Sequence, residues 1–198
     1  SGREVWLVSC TSSKSDSKRQ WKHLWTSPCH PEGAYIFGEI AFLTSLCEPD
    51  YGYITNFGKA HLEGFIDIDG VIKSKTELYE WIIKNDKTLL INGEDKNQKK
   101  FDNHKHIIFG CGKNFQFNFR EKNNDFVNVL HDNYLFETKL YGTYNYSNVC
   151  AAIALGLEFG IDKNKINQSL KNYQPNNNRS EIIKIGDKRI VLDAYNAN

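Results

Sequence analysis

Ile54-Thr55-Asn56-Phe57-Gly58-Lys59-Ala60-His61-Leu62-Glu63-Gly64-Phe65 is the stretch around which the chain is organised. Tyr51 to Asn56 reads as a buried strand that breaks at Gly58. A histidine and a carboxylate, His61 and Glu63, follow on the loop beyond the strand's carboxyl end, where open α/β sheets bind ligands. Gly58 and Gly64 flank them and let backbone approach a bound anion. Each side chain carries two readings. His61 is a packing or surface histidine, or a metal ligand or phosphate contact. Lys59 screens phosphate or is simply solvated, and Glu63 orders the histidine or begins a helix.

Downstream, Val71, Lys75, Leu78 and Ile82 recur at i, i+4, i+7 and i+11, which predicts a helix with one buried face. Thr88 to Asn92 and Lys105 to Phe109 read as short buried strands. Phe115, Phe117 and Phe119 alternate with polar residues as one half-exposed strand. With Phe126 to Leu130 and Tyr134 to Leu140 they predict a small antiparallel unit. Tyr144 to Phe159 predicts a helix capped by Asn145 or Ser147 and stopped at Gly160, and Asp162 caps another carrying Ile166 and Leu170. A polar linker, Gln174 to Asn178, leads to a hairpin of Glu181 to Ile185 and Lys188 to Leu192, turning on Gly186-Asp187.

Upstream, Phe37 to Cys47 is helical in pattern, with Ile40, Leu43, Leu46 and Cys47 in register and Glu39 in the first turn. Pro49-Asp50 ends it. Residues 1 to 36 differ in character: they hold three of the four tryptophans and no asparagine. Only Glu4 to Val8 suggests a strand there, and Cys10 to Gln20 reads as polar loop. The segment stays unassigned, as a divergent arm or as sequence out of its ancestral frame. Alternating strands and helices predict an α/β layer fold.

The formal net charge of +1 gives no bulk attraction to nucleic acid or to an anionic membrane. No apolar run approaches transmembrane length, and the N-terminus lacks the apolar core of a signal peptide. Five cysteines without CxxC spacing argue against a zinc site or a disulfide framework, so a cytoplasmic location is expected.

Lys75 is the more telling candidate. It lies on the apolar stripe of its helix, near the N-terminal turn, where burial and the helix dipole both disfavour an ammonium. Snorkelling of its stem explains it without function. A neutral amine is the alternative, and a neutral lysine takes up carbon dioxide as a carbamate, which turns a cation into a carboxylate-like metal ligand. Lys73 points elsewhere, to solvent. Gly142 to Asn148 precedes a helix, and capping accounts for Asn145 or Ser147 but less well for Asn148, whose amide can pair with an adenine edge. Arg179 and Asp193 are unremarkable singly, and together they suit a phosphate and a ribose hydroxyl.

In combination these stretches resemble the Mur ligases. Ile54 to Phe65 is similar to that family's loop, and its Lys-Ala-His-Leu-Glu-Gly form is most like the D-alanyl-D-alanine-adding, MurF-type branch. Gly70 to Leu78 resembles the segment that bears a carbamylated lysine, which puts that role on Lys75. Leu90 to Asp95 resembles the strand and turn that follow. Gly142 to Asn148 resembles the Gly-x-His-Asn-x-x-Asn adenine motif, with Tyr144 at the histidine position. Arg179 matches the arginine that opens the family's C-terminal domain, and Asp193 to Asn198 is similar to the Asp-x-Tyr-Asn-Ala-Asn signature of the MurF-type branch.

The resemblance implies a mostly parallel ATPase-type sheet flanked by helices, with a small antiparallel unit, over residues 37–174. It implies the start of a Rossmann-like C-terminal domain over 175–198. The implied reaction is ATP-driven amide formation through an acyl phosphate, joining D-alanyl-D-alanine to UDP-MurNAc-tripeptide in peptidoglycan precursor synthesis. His61 and carbamylated Lys75 would be catalytic residues in the shell of a magnesium ion. Asn145, Asn148, Arg179 and Asp193 would hold ATP, with Tyr195 and Asn196 nearby. A monomer with no nucleic-acid or membrane partner is expected.

Two departures limit this. Residues 1–36 contain no Gly-x-x-Gly-Lys-Thr phosphate loop, since Lys14 and Lys18 have no glycine frame. Glu32, in His-Pro-Glu-Gly-Ala-Tyr, is a poor match for the magnesium-binding glutamate of a Glu-Met-Gly-Ala-Asn strand. The chain is therefore expected to be a ligase fragment, inactive by itself. A non-catalytic nucleotide-binding module and another Mur or folylpolyglutamate-type ligase are the alternatives.

Overall fold

A computed structural model describes residues 5–11, 20–24, 37–57, 68–110, 115–121, 126–174, 181–186 and 188–192. The chain divides into two compact units, Arg3–Ile108 and Phe109–Asn198 with Ser1–Gly2.

In the first unit, β1 (Val5–Thr11), β2 (Gln20–Leu24), β3 (Tyr51–Ile54), β4 (Thr88–Asn92) and β5 (His106–Gly110) lie side by side in the order β2-β1-β3-β4-β5. β3 pairs in parallel with β4, and β1 pairs antiparallel with both β2 and β3. The helices are α1 (Glu39–Cys47) and α2 (Ile68–Lys84). The polar loop expected over Cys10 to Gln20 is shorter, because Cys10 and Thr11 extend β1 and Gln20 opens β2. Their pairing sits in the segment with no assigned role, and hydrogen bonding between strands overrode its polar composition.

Why α2 forms is plain from its spacing. Val71, Lys75, Leu78 and Ile82 are all buried, as the stripe requires. Leu78 and Ile82 join Ile40, Ile54, Tyr79, Leu89, Ile91 and Ile108 in one core. Complete burial of each aliphatic side chain contributes about 1.5–3 kcal/mol. Lys75 lies two turns into α2, clear of the first turn, so the dipole argument made from sequence does not apply to it.

α1 follows its pattern less closely. Ile40 and Thr44 are buried, whereas Leu46 is 66% exposed. Thr44 hides its hydroxyl by donating to Ile40 O at 2.6 Å. Gly38 takes the position before the helix with φ 92°, a left-handed backbone that favours glycine. Glu77 of α2 caps this helix from outside: its carboxylate accepts from Gly38 N at 2.8 Å and Ala41 N at 3.0 Å. A carboxylate at a helix N-terminus satisfies amides that lack intrahelical partners.

The second unit takes the last two residues of β5, which pair in parallel with β6 (Phe115–Gln116). β7 (Asn118–Glu121), β8 (Phe126–His131) and β9 (Tyr134–Tyr141) form an antiparallel sheet in that order. The single strand expected over Phe115 to Phe119 is split, with buried Phe117 between β6 and β7. Phe117 packs between Phe109 and His131, and this packing won over simple alternation. α3 (Tyr146–Glu158) and α4 (Lys163–Asn172) follow. Asp162 caps α4 as expected, accepting from Asn164 N and Lys165 N. α4 covers the edge of β9: Asn167 accepts from Glu137 N at 2.9 Å, and Tyr134 donates to Asn164 at 2.9 Å. β10 (Glu181–Ile185) and β11 (Lys188–Leu192) form the expected hairpin, and Gly186 supplies the positive φ of its turn. The α/β fold, with a parallel sheet and a small antiparallel unit, is as the sequence implies.

Gly52 allows α2 to approach β3. A Cβ there would lie 2.9 Å from Ile82 Cγ1 and 3.3 Å from Leu78 Cγ. Gly52→Ala is expected to destabilise the chain by about 1–3 kcal/mol, the usual cost of overpacking. Urea denaturation of the two forms measures it.

Candidate functional site

β3 ends in the buried Ile54, and the chain continues through Thr55, exposed Asn56 and Phe57. α2 returns across this end. Lys75 is 8% exposed, and its Nζ donates to Asn56 O at 2.6 Å. One turn later on the helix, the fully buried Tyr79 places its hydroxyl between the strands. That oxygen accepts from Ile54 N at 3.4 Å and donates to Leu90 O at 2.9 Å. Lys75 and Tyr79 thus bracket the end of β3 from one face of α2, at the i, i+4 spacing that makes helix neighbours. Lys73, by contrast, is exposed, with its Nζ 5.5 Å above the Phe37 ring.

The turn after β4 supplies a third group that the sequence does not advertise. Asp95 organises the turn, its Oδ1 accepting from Asn97 N at 2.8 Å and Gln98 N at 3.3 Å. Asn92 Oδ1 accepts from Glu94 N at 3.0 Å. Gln98 is thereby turned inward and is 0% exposed. Its Nε2 donates to Ile54 O at 2.8 Å, and its Oε1 accepts from Asn92 N at 2.8 Å. Tyr79, Gln98 and Glu77 are the residues that sequence reasoning missed. Hydrogen bonds between residues 44 apart, as for Gln98 and Ile54, leave no periodic trace.

Burial pushes the Tyr79 hydroxyl well above its ordinary pKa of 10.0, with the Ile54 amide opposing and Tyr53 and Asp95 adding to the rise.

In the second unit, Gly142 adopts φ 86° and precedes a short 3-10 turn, Thr143–Asn145. A Cβ on Gly142 would fall 2.3 Å from Tyr144 Cε1, so the bare glycine leaves room for that ring, which is 55% exposed. Asn145 stands at the cap position of α3, yet its side chain does not cap. It donates from Nδ2 to Tyr141 O at 2.8 Å and so braces the turn against β9. α3 therefore begins at Tyr146, two residues later than the sequence suggests, because the tighter turn takes up the first residues. Asn148 is exposed.

Of the expected site residues, Lys75 belongs to the first unit, and Asn145 and Asn148 to the second. His61, Arg179, Asp193, Tyr195 and Asn196 lie outside the described residues, as do Lys59, Glu63 and Glu32. Among the described residues no three His, Cys, Asp or Glu side chains gather as a metal site.

Residues 33–156 match the model of the Mur ligase middle domain. Over 182 residues the chain is 28% identical to the UDP-N-acetylmuramoyl-tripeptide–D-alanyl-D-alanine ligase of Escherichia coli K12, covering 84% of this chain and 39% of that protein. The crystal structure of MurF from Acinetobacter baumannii superimposes with a TM-score of 0.71 at 25% identity, covering 82% of this chain and 37% of that one. MurF from Thermotoga maritima, solved in complex with ADP, gives a TM-score of 0.67 at 22% identity, over 83% and 40% of the two chains. The chain spans about two fifths of the length of the relatives it matches.

The network around Tyr79 has a pH signature. A hydroxyl whose folded pKa lies above its unfolded value of 10.0 contributes stability that is complete below that value and is lost as pH rises beyond it. Stability of the native chain should thus fall above about pH 10, through this residue. Tyr79→Phe should remove that part of the slope while costing about 1–3 kcal/mol at neutral pH, since Leu90 O and Ile54 N lose their partner. Denaturation midpoints of both forms between neutral and alkaline pH measure the effect.

Proposed function

The chain belongs to the Mur ligase family, and from that premise we propose that it is the middle portion of an ATP-dependent, amide-forming ligase of the MurF type. The substrates of the whole enzyme on this reading are UDP-MurNAc-tripeptide and D-alanyl-D-alanine, and the product serves peptidoglycan assembly. Transfer of phosphate from ATP to the tripeptide carboxylate gives an acyl phosphate. The D-alanyl-D-alanine amine then attacks the acyl carbon and phosphate leaves. What supports the branch is the Lys59-Ala60-His61-Leu62-Glu63 form and the relatives that carry the MurF name.

The observation that carries the reading is the buried amine of Lys75 at the carboxyl end of β3, held by Asn56 O. A buried, oriented amine suits carbamylation, which needs a neutral nitrogen. On this reading His61 and carbamylated Lys75 would hold magnesium, which when bound offsets the charge between ATP and the substrate carboxylate. Asn145 braces the nucleotide turn through Tyr141 O, and exposed Asn148 presents its amide to the base. Arg179 and Asp193 would contact phosphate and ribose, with Tyr195 and Asn196 nearby. Residues 37–174 form the central domain on this reading, and 175–198 open a Rossmann-like one. No described helix is long and apolar enough to cross a membrane. We further place the protein in the cytoplasm, as a monomer.

Two measurements test the function. Incubation with carbon-13 bicarbonate near pH 8 should give a carbamate resonance that disappears in Lys75→Arg, and its absence from the native chain would remove Lys75 from the metal shell. The 198-residue chain alone should release no ADP above background from ATP and magnesium. Magnesium-dependent release would show that phosphate transfer does not need a glycine-rich loop here.

A further inference from the structure

Gln98 does something that a glutamine in a polar turn seldom does: it sits fully buried between two strands of the sheet. The last residues in register between β3 and β4 are Tyr53 and Leu90. Just beyond, Ile54 O and Asn92 N receive the two ends of one side-chain amide, each at 2.8 Å. A peptide group offers the same donor and acceptor, so Gln98 acts as an additional rung inserted between the strands. Tyr79 completes the arrangement, touching Ile54 N, Leu90 O and, at 3.2 Å, Gln98 Oε1.

We propose that Gln98, with Tyr79, is a positioning residue that fixes the end of β3, and so sets the Asn56 carbonyl that holds Lys75 Nζ. It rests on Lys75 being the working amine of the site. Asn56 lies two residues past Ile54, and the side-chain contacts to both the N–H and the C=O of Ile54 leave that backbone little freedom to turn. The chemistry of the position is restrictive. Asparagine is one methylene shorter, glutamate at neutral pH has no hydrogen to give Ile54 O, and leucine offers neither partner. A buried backbone group without a partner costs about 1–3 kcal/mol, so losing the amide forces the strand ends to move.

The test uses the whole chain in buffer freed of carbon dioxide, pulsed with acetic anhydride. Mass spectrometry then gives the acetylation of Lys75 relative to exposed Lys73 in the same molecules. In the native chain Lys75 should react far more slowly than Lys73. Gln98→Leu should raise the Lys75 to Lys73 ratio by about fivefold or more, through local opening of the contact to Asn56. Gln98→Glu and Tyr79→Phe should raise it to a lesser degree, and they carry the test should Gln98→Leu not fold. Ile82→Val, a core trim on the same helix, should leave the ratio unchanged at a comparable loss of stability. Ratios in the Gln98 and Tyr79 variants no higher than in Ile82→Val would overturn the proposal. The bicarbonate experiment fails separately: a native chain without carbamate, but with the expected acetylation pattern, keeps the positioning role and loses the carbamate.

Discussion

Backbone polar groups buried in a sheet must be paired, and at the end of β3 the sheet itself stops supplying pairs. Ile54 is fully buried, and its N–H and C=O are met by side chains, Tyr79 from α2 and Gln98 from the turn after β4. Much of the first unit follows from meeting that requirement. α2 must pass close enough for Tyr79 to reach, which Gly52 permits by leaving space for Ile82. The turn after β4 must fold inward, which Asp95 secures by accepting from two of its amides. Once α2 is placed, Glu77 reaches the first amides of α1, and Lys75 reaches Asn56. A polar necessity in the sheet thus fixes where a buried amine stands.

The second unit solves a different problem, that of an open strand edge. β9 lies at the side of a three-stranded sheet, and Asn167 of α4 gives the Glu137 amide the partner that another strand would have provided. Close packing between α3 and α4 depends on Gly156, where a Cβ would come within 2.8 Å of Ile166 Cδ1. Lys171 adds an ion pair to Glu137 at 2.5 Å on the same side. Exposed pairs of this kind contribute little, so the hydrogen bonds and the buried face of Ile166 carry the contact.

Periodic features were legible in the sequence. The stripe of α2, β4, the β10–β11 hairpin and the Asp162 cap all stand where spacing and turn chemistry put them. Features that depend on distant partners were not. Asn145 looks like a cap from its neighbours, but the carbonyl of Tyr141 is near and takes its amide. Cys10 and Gln20 look like loop, but strand pairing holds them. Gln98 looks like solvated turn, and only the ends of two strands, brought together by the fold, show why an amide is needed there. Lys75 was visible as a lysine on an apolar stripe, yet its acceptor was not, because Asn56 O is a backbone atom that any residue could have supplied.

That last point bears on how the site accommodates chemical change. An alkylammonium has three hydrogens to donate, and a lysine carbamate keeps one on the same nitrogen. Asn56 O can therefore accept from Nζ in either form, so on the proposed reading the contact would survive conversion of the cation into an anion. A neutral carbonyl, held still by groups that themselves titrate only outside the working range, favours neither by charge. Gln98 does not titrate, and burial keeps the Tyr79 hydroxyl protonated beyond its ordinary value. The strand end beside Lys75 is thus held by neutral donors and acceptors, and on the proposed reading a change of charge on the amine would not disturb them.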